Sequence, residues 1–365
     1  MFGWTVDTAN PTKPQLVTEY DVAGLNPFAA EQWPLMLAIG GLQDWAGVFA
    51  FCYRANGPTD AWLQHPSHKI LPLHYEGEFS TKLATVVPFA RAWARRDVSP
   101  GRDDAALVVT RSYQGMLDDA LGSCPGGGRG AVGAQCTALL ADYAPGGASW
   151  RWQNQFVAHR VGLVLGACDA DPAGLAPLSL LRPIVSDTGQ SVYNFQNKSM
   201  TVSTPSTLVF MGRTPSGGNV TLGGGVSLRW GATRDSYGVA VITSLDKEAP
   251  IATASTLLVT VTTWAENTRL VWENRTAGRV GDWGEAPVVV GTPPVFVRLP
   301  GPSPWRCFAL ASDGSRMAPI NSTTMISASG VAAVFALNAH AEERTLWWAF
   351  SRPRGRIKST IYPGT

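Results

Sequence analysis

The sequence predicts an α+β protein of several domains, with a strand–helix–strand unit near its N-terminal end and an antiparallel β-sandwich over its C-terminal half. Three observations predict this. Residues 15–53 set a strand-like run (Gln15-Leu16-Val17-Thr18), a long apolar helix-like segment and a second strand-like run (Gly47 to Tyr53) in that order. This is the pattern of a βαβ unit whose strands lie parallel in one sheet. From Ile184 onwards, short runs alternate apolar residues with Ser and Thr between Gly, Pro and Asp breaks, as in a sandwich. Finally, 45% of the 365 residues are apolar, enough to bury more than one core.

Taken in order, Gln15 to Thr18 delivers one acidic residue, Glu19, at the end of its run. From Pro27, Phe28-Ala29-Ala30-Glu31-Gln32-Trp33 leads into Leu35-Met36-Leu37-Ala38-Ile39. A helix this apolar all round is buried on several sides, and Gly40-Gly41 loosens its end. Gly47 to Tyr53 is continuously apolar, which predicts a strand covered on both faces. Residues 54–77 read as a loop holding Trp62, His65, His68 and His74. A second helix starts with Ser80 as N-cap and ends at Arg95-Arg96, where the helix dipole favours cations.

After Asp97-Val98-Ser99-Pro100-Gly101 the character changes. Ala105 to Thr110 reads as a strand, Tyr113 to Leu121 as a helix and Thr137 to Tyr143 as a helical turn, and apolar alternation resumes over Gln155 to Leu165. Sandwich strands are expected at 193–195, 199–203, 207–211, 226–230, 237–243, 256–263, 288–290, 295–299, 308–311 and 331–337, with 345–350 closing the sheet. The boundaries that follow are 1–100 for the leading α/β part, 101–183 for a connecting α/β segment packed on the sandwich, and 184–365 for the sandwich.

Composition excludes some partners. A net charge of +2 with 15% charged residues supplies no field to attract nucleic acid or an anionic membrane. No apolar run reaches the roughly 20 residues of a membrane span. Fourteen Trp fit either sandwich cores or sugar-stacking platforms, since an indole face suits the C–H face of a pyranose. The five Cys show no C-x-x-C spacing, and His65, His68 and His74 lack the convergence of a metal site, so no metal or other cofactor is expected. Cys124 and Cys136 bracket a Gly-rich loop and are the disulfide candidate; an odd total leaves at least one thiol free. Sequons at Asn197, Asn219, Asn274 and Asn321 suit a secreted glycoprotein, although MFGWTVDT has neither the charged nor the apolar region of a signal peptide.

Glu19 heads the candidates for chemistry. A carboxylate at the C-terminal end of a strand sits where α/β barrels keep their active sites, and it can attack an anomeric carbon if a second carboxyl group protonates the leaving oxygen. The plainer reading is a solvated turn residue. Asp21 is a weaker candidate that points away from the mouth, and Asp44 precedes the second strand at its far end. Tyr20 flanks Glu19, while Phe51 and Tyr53 end the second strand on the same edge, placed to stack on a sugar or to pack. His159-Arg160 reads as a satisfied pair within an apolar strand.

The run QLVTEYDVAGLNPFAAEQWPLMLAIGGLQDWAGVFAFCYR resembles the last two βα units of cellulase-like (β/α)8 glycoside hydrolases, the retaining clan whose nucleophilic Glu ends the seventh strand. SVYNFQNKSMTVSTPSTLVFMG, YGVAVITSLDKEAPIATASTLLVTVTTWAENTRLVWEN and VGDWGEAPVVV resemble the β-sandwich domain that follows the barrel in large bacterial members. The resemblance implies a barrel remnant of about two βα units followed by the sandwich, Glu19 as catalytic nucleophile with Tyr20 beside it, and a polysaccharide or oligosaccharide substrate. The family has six earlier βα units and keeps its acid/base at the end of the fourth strand, whereas only Met1 to Pro14 precede the match here. A closed barrel therefore requires a further N-terminal segment or a partner chain. On this reading the chain is a glycoside hydrolase-like protein that is incomplete by itself. The alternatives are a non-catalytic carbohydrate-binding or structural glycoprotein module, and an enzyme that uses Glu19 with one of the three loop histidines.

Overall fold

The computed structural model describes residues 13–22, 26–51, 80–111, 152–166, 178–179, 181–215, 217–275, 279–300, 305–327, 330–339 and 344–352. They are mostly antiparallel β-sheet with two helices. Two compact units interleave along the chain. The first comprises Met1–Tyr20, Ala38–Phe49 and Val98–Gln196; the second comprises Asp21–Leu37, Ala50–Asp97 and Asn197–Thr365.

In the first unit, β1 (Leu16–Tyr20) and β2 (Gly47–Ala50) pair as a two-stranded sheet. The Ala46 N–H donates to the Gln15 carbonyl over 2.8 Å, joining the residues just ahead of each strand, so both strands start from one edge and run parallel. Between them a 3-10 turn, Ala29–Glu31, runs into α1 (Gln32–Leu42). The helix buries Trp33, Met36, Leu37, Ala38, Ile39 and Leu42, as its all-round apolar sequence requires. Gly40 and Gly41 do not loosen it. The helix runs through both to Leu42, and Gly41 is a packing position, where a Cβ would lie 2.7 Å from Val98 Cβ.

The reading of the second strand as covered on both faces is corrected. β2 stops at Ala50, and Phe49 and Phe51 are 56% and 42% exposed. Continuous apolarity records which residues favour burial, whereas coverage depends on how many neighbours a strand has, and β2 has one in its sheet.

The same unit holds a second parallel pair, β3 (Leu107–Arg111) with β4 (Val161–Leu165), in register from Leu107 opposite Val161. A 3-10 segment, Trp152–Val157, precedes β4, so the apolar alternation read from Gln155 begins as a strand only at Val161. The buried Gln43 amide fixes this approach: its Nε2 donates to the carbonyls of Phe156 and His159, and its Oε1 accepts the Val161 N–H at 2.8 Å. A short hairpin, β5 (Ile184–Val185) and β6 (Ser191–Asn194), completes the unit.

The second unit contains α2 (Ser80–Ala94) and strands β7 (Ser199–Ser203), β8 (Thr207–Arg213), β9 (Asn219–Thr221), β10 (Ser227–Trp230), β11 (Tyr237–Ser244), β12 (Thr256–Thr262), β13 (Ala265–Thr268), β14 (Val271–Asn274), β15 (Arg279–Asp282), β16 (Glu285–Val290), β17 (Val295–Pro300), β18 (Arg306–Leu310), β19 (Arg316–Ile320), β20 (Ser322–Ser327), β21 (Gly330–Leu337) and β22 (Trp347–Ser351). One antiparallel sheet runs β19-β18-β22-β12-β11-β8-β7 and a second runs β20-β21-β17-β10-β9. Alternate residues of both sheets meet in one buried core. Leu208, Phe210, Ile242, Val259, Trp348 and Phe350 come from the first sheet, and Leu228, Trp230, Val297, Leu299, Phe335 and Leu337 from the second. Gly238 admits the Trp230 indole, because a Cβ there would sit 2.5 Å from the ring.

The outer face of the larger sheet is covered as well. α2 packs on β11 and β12, and all eight residues of β11 are buried. Trp347 Nε1 donates to the Ala84 carbonyl at 3.0 Å. Arg95, one residue past α2, donates to the Ser244 carbonyl, to Thr243 Oγ1 at 2.8 Å and to Asp97 at 2.7 Å. Two short ribbons, β13–β16 and β14–β15, cluster Leu270, Trp272, Val280, Trp283 and Val288 around Ala29 and Ala265.

Candidate functional site

In the first unit Glu19 is the penultimate residue of β1, at the carboxyl edge of a parallel pair, and its side chain is exposed. Burial along the strand does not follow strict alternation: Val17 and Tyr20 are buried, whereas Leu16, Thr18 and Glu19 are exposed. Tyr20 is therefore a packing residue beside Glu19. Phe51, one residue past β2, is exposed. Tyr53, Cys124, Cys136, His65, His68 and His74 lie outside the described residues.

Three other described carboxylates of the first unit are committed elsewhere. Asp187 holds His159 Nδ1 at 3.3 Å, Asp103 pairs with Arg160 at 2.5 Å, and Asp104 pairs with Arg102. His159 and Arg160 are thus each satisfied by an acidic partner, and they sit just ahead of β4 rather than inside the strand. Asp44, with φ of 56°, turns the chain three residues before β2, at the end of the sheet away from Glu19.

Within the second unit, two carboxyl groups are of different kinds. Asp21 ion-pairs with Lys82 of α2, and the two side chains are 3% and 0% exposed. The same Asp21 oxygen accepts the Val22 N–H at 2.7 Å, while Asp21 Oδ2 is buried without a hydrogen-bond partner among the described residues. Asp21 is an anchor for α2 and not a group open to substrate. Glu31 closes the 3-10 turn ahead of α1, and burial pushes its carboxyl up to about 7. The buried Tyr237 hydroxyl donates to the Phe28 carbonyl at 3.3 Å, and its ring meets Phe28 edge to face at 5.0 Å. Burial, and then the neighbouring Glu31 charge, raise that hydroxyl well above the usual tyrosine range. A carboxyl that keeps its proton near neutrality has the character of a general acid. The sequence hides it, because FAAEQW looks like an ordinary first helical turn.

A third carboxylate, Glu266 at the start of β13, is gripped by Arg234 and Arg275 and accepts from Trp272 Nε1 at 2.9 Å. With three donors on two oxygens it is spent on structure, tying β13 to β14.

The indole-platform reading of the tryptophans finds no exposed ring among the described side chains. Trp33, Trp45, Trp230, Trp305 and Trp348 are buried, and Trp93, Trp264, Trp272, Trp283 and Trp347 are half-buried. The four sequon asparagines, Asn197, Asn219, Asn274 and Asn321, are all exposed. Among the described residues no helix is long and apolar enough to cross a membrane, and no cluster of His, Cys, Asp and Glu is arranged to hold a metal. Cys307 is buried in the sandwich core. No protein-family model, curated protein or solved structure matches the chain.

Proposed function

We propose that these residues are the C-terminal part of a retaining β-glycanase, with Glu19 as nucleophile and the sandwich as the domain that follows the barrel. The observation that carries this is the β1–α1–β2–α2 order, with parallel strands and an exposed carboxylate at their carboxyl edge. Glu19 attacks the anomeric carbon of a β-linked glycan, a carboxylic acid about 5 Å away protonates the leaving oxygen, and water then releases the covalent glycosyl-enzyme. Two strands do not close a barrel, so on this reading the remaining strands and the acid/base lie outside the β1–β2 pair. The exposed apolar side chains of Leu16 and Phe49 support this, being suited to contact with neighbouring strands. The exposed sequons support passage through the secretory pathway. A binding module built on stacked indoles fits less well, because the described Trp rings are engaged in packing.

The test supplies the six preceding βα units as a fragment of a retaining β-glycanase and purifies the co-eluting pair. Turnover of an aryl β-glycoside is expected, and loss of it in Glu19→Gln. A pair that co-elutes yet neither turns over nor becomes labelled at Glu19 by an activated 2-fluoro-glycoside overturns the reading, because that reagent needs no general acid.

A further inference from the structure

The sandwich of the second unit contains a cavity of about 330 Å³, within the range of small-molecule sites. Its walls are apolar: Pro205, Leu208, Ile251, Leu299 and Pro300 line it together with Trp305 and Arg352. Leu208, Ile251, Leu299 and Trp305 are buried members of the sandwich core, so the cavity is cut into packed structure.

The polar groups are few and unevenly committed. Ser203 Oγ accepts the Gly223 N–H at 3.1 Å, and Thr204 Oγ1 donates to the Thr207 carbonyl at 2.9 Å. The cationic end is different. Arg352 lays its guanidinium over the Trp305 ring, 4.3 Å from the centroid, and is fixed by Nη2 donating to the Ala252 carbonyl and its backbone N–H to the Ser255 carbonyl, both at 2.8 Å. Yet Arg352 Nε and Trp305 Nε1 are both buried with no acceptor among the described residues. Leaving two such donors unmet is costly, and no described carboxylate balances the cation. Burial without that balance pulls the Arg352 guanidinium below its ordinary range.

We propose that this cavity binds a small amphipathic anion, with its apolar body against Pro205, Ile251, Leu299 and Pro300 and a single carboxylate on Arg352 Nε and Trp305 Nε1. A carboxylate supplies two acceptor oxygens and the missing charge together. A neutral glycan does neither, and would meet hydroxyls already engaged in turns. This site is therefore separate in chemistry from the glycan site proposed at Glu19, and it stands or falls without it.

Calorimetric titration of the chain with octanoate, octan-1-ol and cellotriose tests the assignment. Saturable 1:1 binding of octanoate is expected, with octan-1-ol at least tenfold weaker and cellotriose silent. Arg352→Met, which keeps an apolar stem, should erase the preference for octanoate over octan-1-ol. Ala252→Trp, placed at an exposed rim position, should block both ligands while leaving the far-ultraviolet circular dichroism unchanged. Absence of saturable octanoate binding, equal affinity for the alcohol, or unaltered preference in a folded Arg352→Met protein would each overturn the proposal.

Discussion

The β1–β2 pair and the sandwich are made of the same kinds of residue and treat them in opposite ways. In the sandwich, strand β11 has a paired strand on each side, a second sheet on one face and α2 on the other, and every one of its eight residues is buried. In β1 and β2 each strand has one partner in its sheet, and Leu16 and Phe49 stand about half exposed. Apolar sequence therefore states a demand for neighbours, and the fold decides whether the demand is met. Glu19 stands on the less covered of the two, exposed at the carboxyl edge of a two-stranded sheet.

The contrast can be broken or sharpened by four measurements. The largest effect is expected from Trp348→Ala, a fully buried ring in the sandwich core, at about 3–5 kcal/mol in denaturant unfolding. Next comes Lys82→Met, which strands the buried Asp21 charge and should cost about 3 kcal/mol. Asp21→Asn added to it should recover a large part, and full additivity of the two would show that the pair does not interact.

Third is pH. Because the folded Glu31 carboxyl is raised from 4.5 to about 7, its contribution to stability is fully present below about pH 4.5 and is lost as pH rises through about 7. That amounts to roughly 3 kcal/mol for a shift of about 2.5. Urea midpoints at pH 5 and pH 8 should separate in the wild type, and Glu31→Gln should remove that separation. Smallest is Phe49→Ser, expected to change stability by less than about 0.5 kcal/mol. A cost comparable to Trp348→Ala would show that β2 is covered after all and would remove the contrast.

Much of the sandwich was legible in the sequence. The runs at 237–243, 256–263 and 295–299 correspond to β11, β12 and β17 within a residue or so, because period-two alternation and turn residues agree there with tertiary burial. β13 to β15 were missed: Glu266, Asn267, Glu273 and Asn274 interrupt the alternation, and these strands sit in small ribbons where a carboxylate network replaces part of the apolar core. That network joins Glu266 to Arg234 and Arg275, 32 and 9 residues away, with no local pattern to announce it.

At the candidate site, strand-end logic found Glu19 but not Glu31, whose proton affinity comes from burial and not from its neighbours in sequence. The exposure of Phe49 and Phe51 was equally hidden, since periodicity carries no count of adjacent strands.

The seat of α2 on the larger sheet has a consequence for how the protein is made. α2 is synthesised before the sheet it covers: Arg95 must reach the Ser244 carbonyl 149 residues later, and the Ala84 carbonyl waits for the Trp347 indole 263 residues later. Vectorial synthesis therefore delivers the lid of the outer face long before the face itself. Until β22 emerges, α2 and the strands made before it hold apolar surface with nothing to close on, an interval during which chaperones or neighbouring nascent chains compete for it.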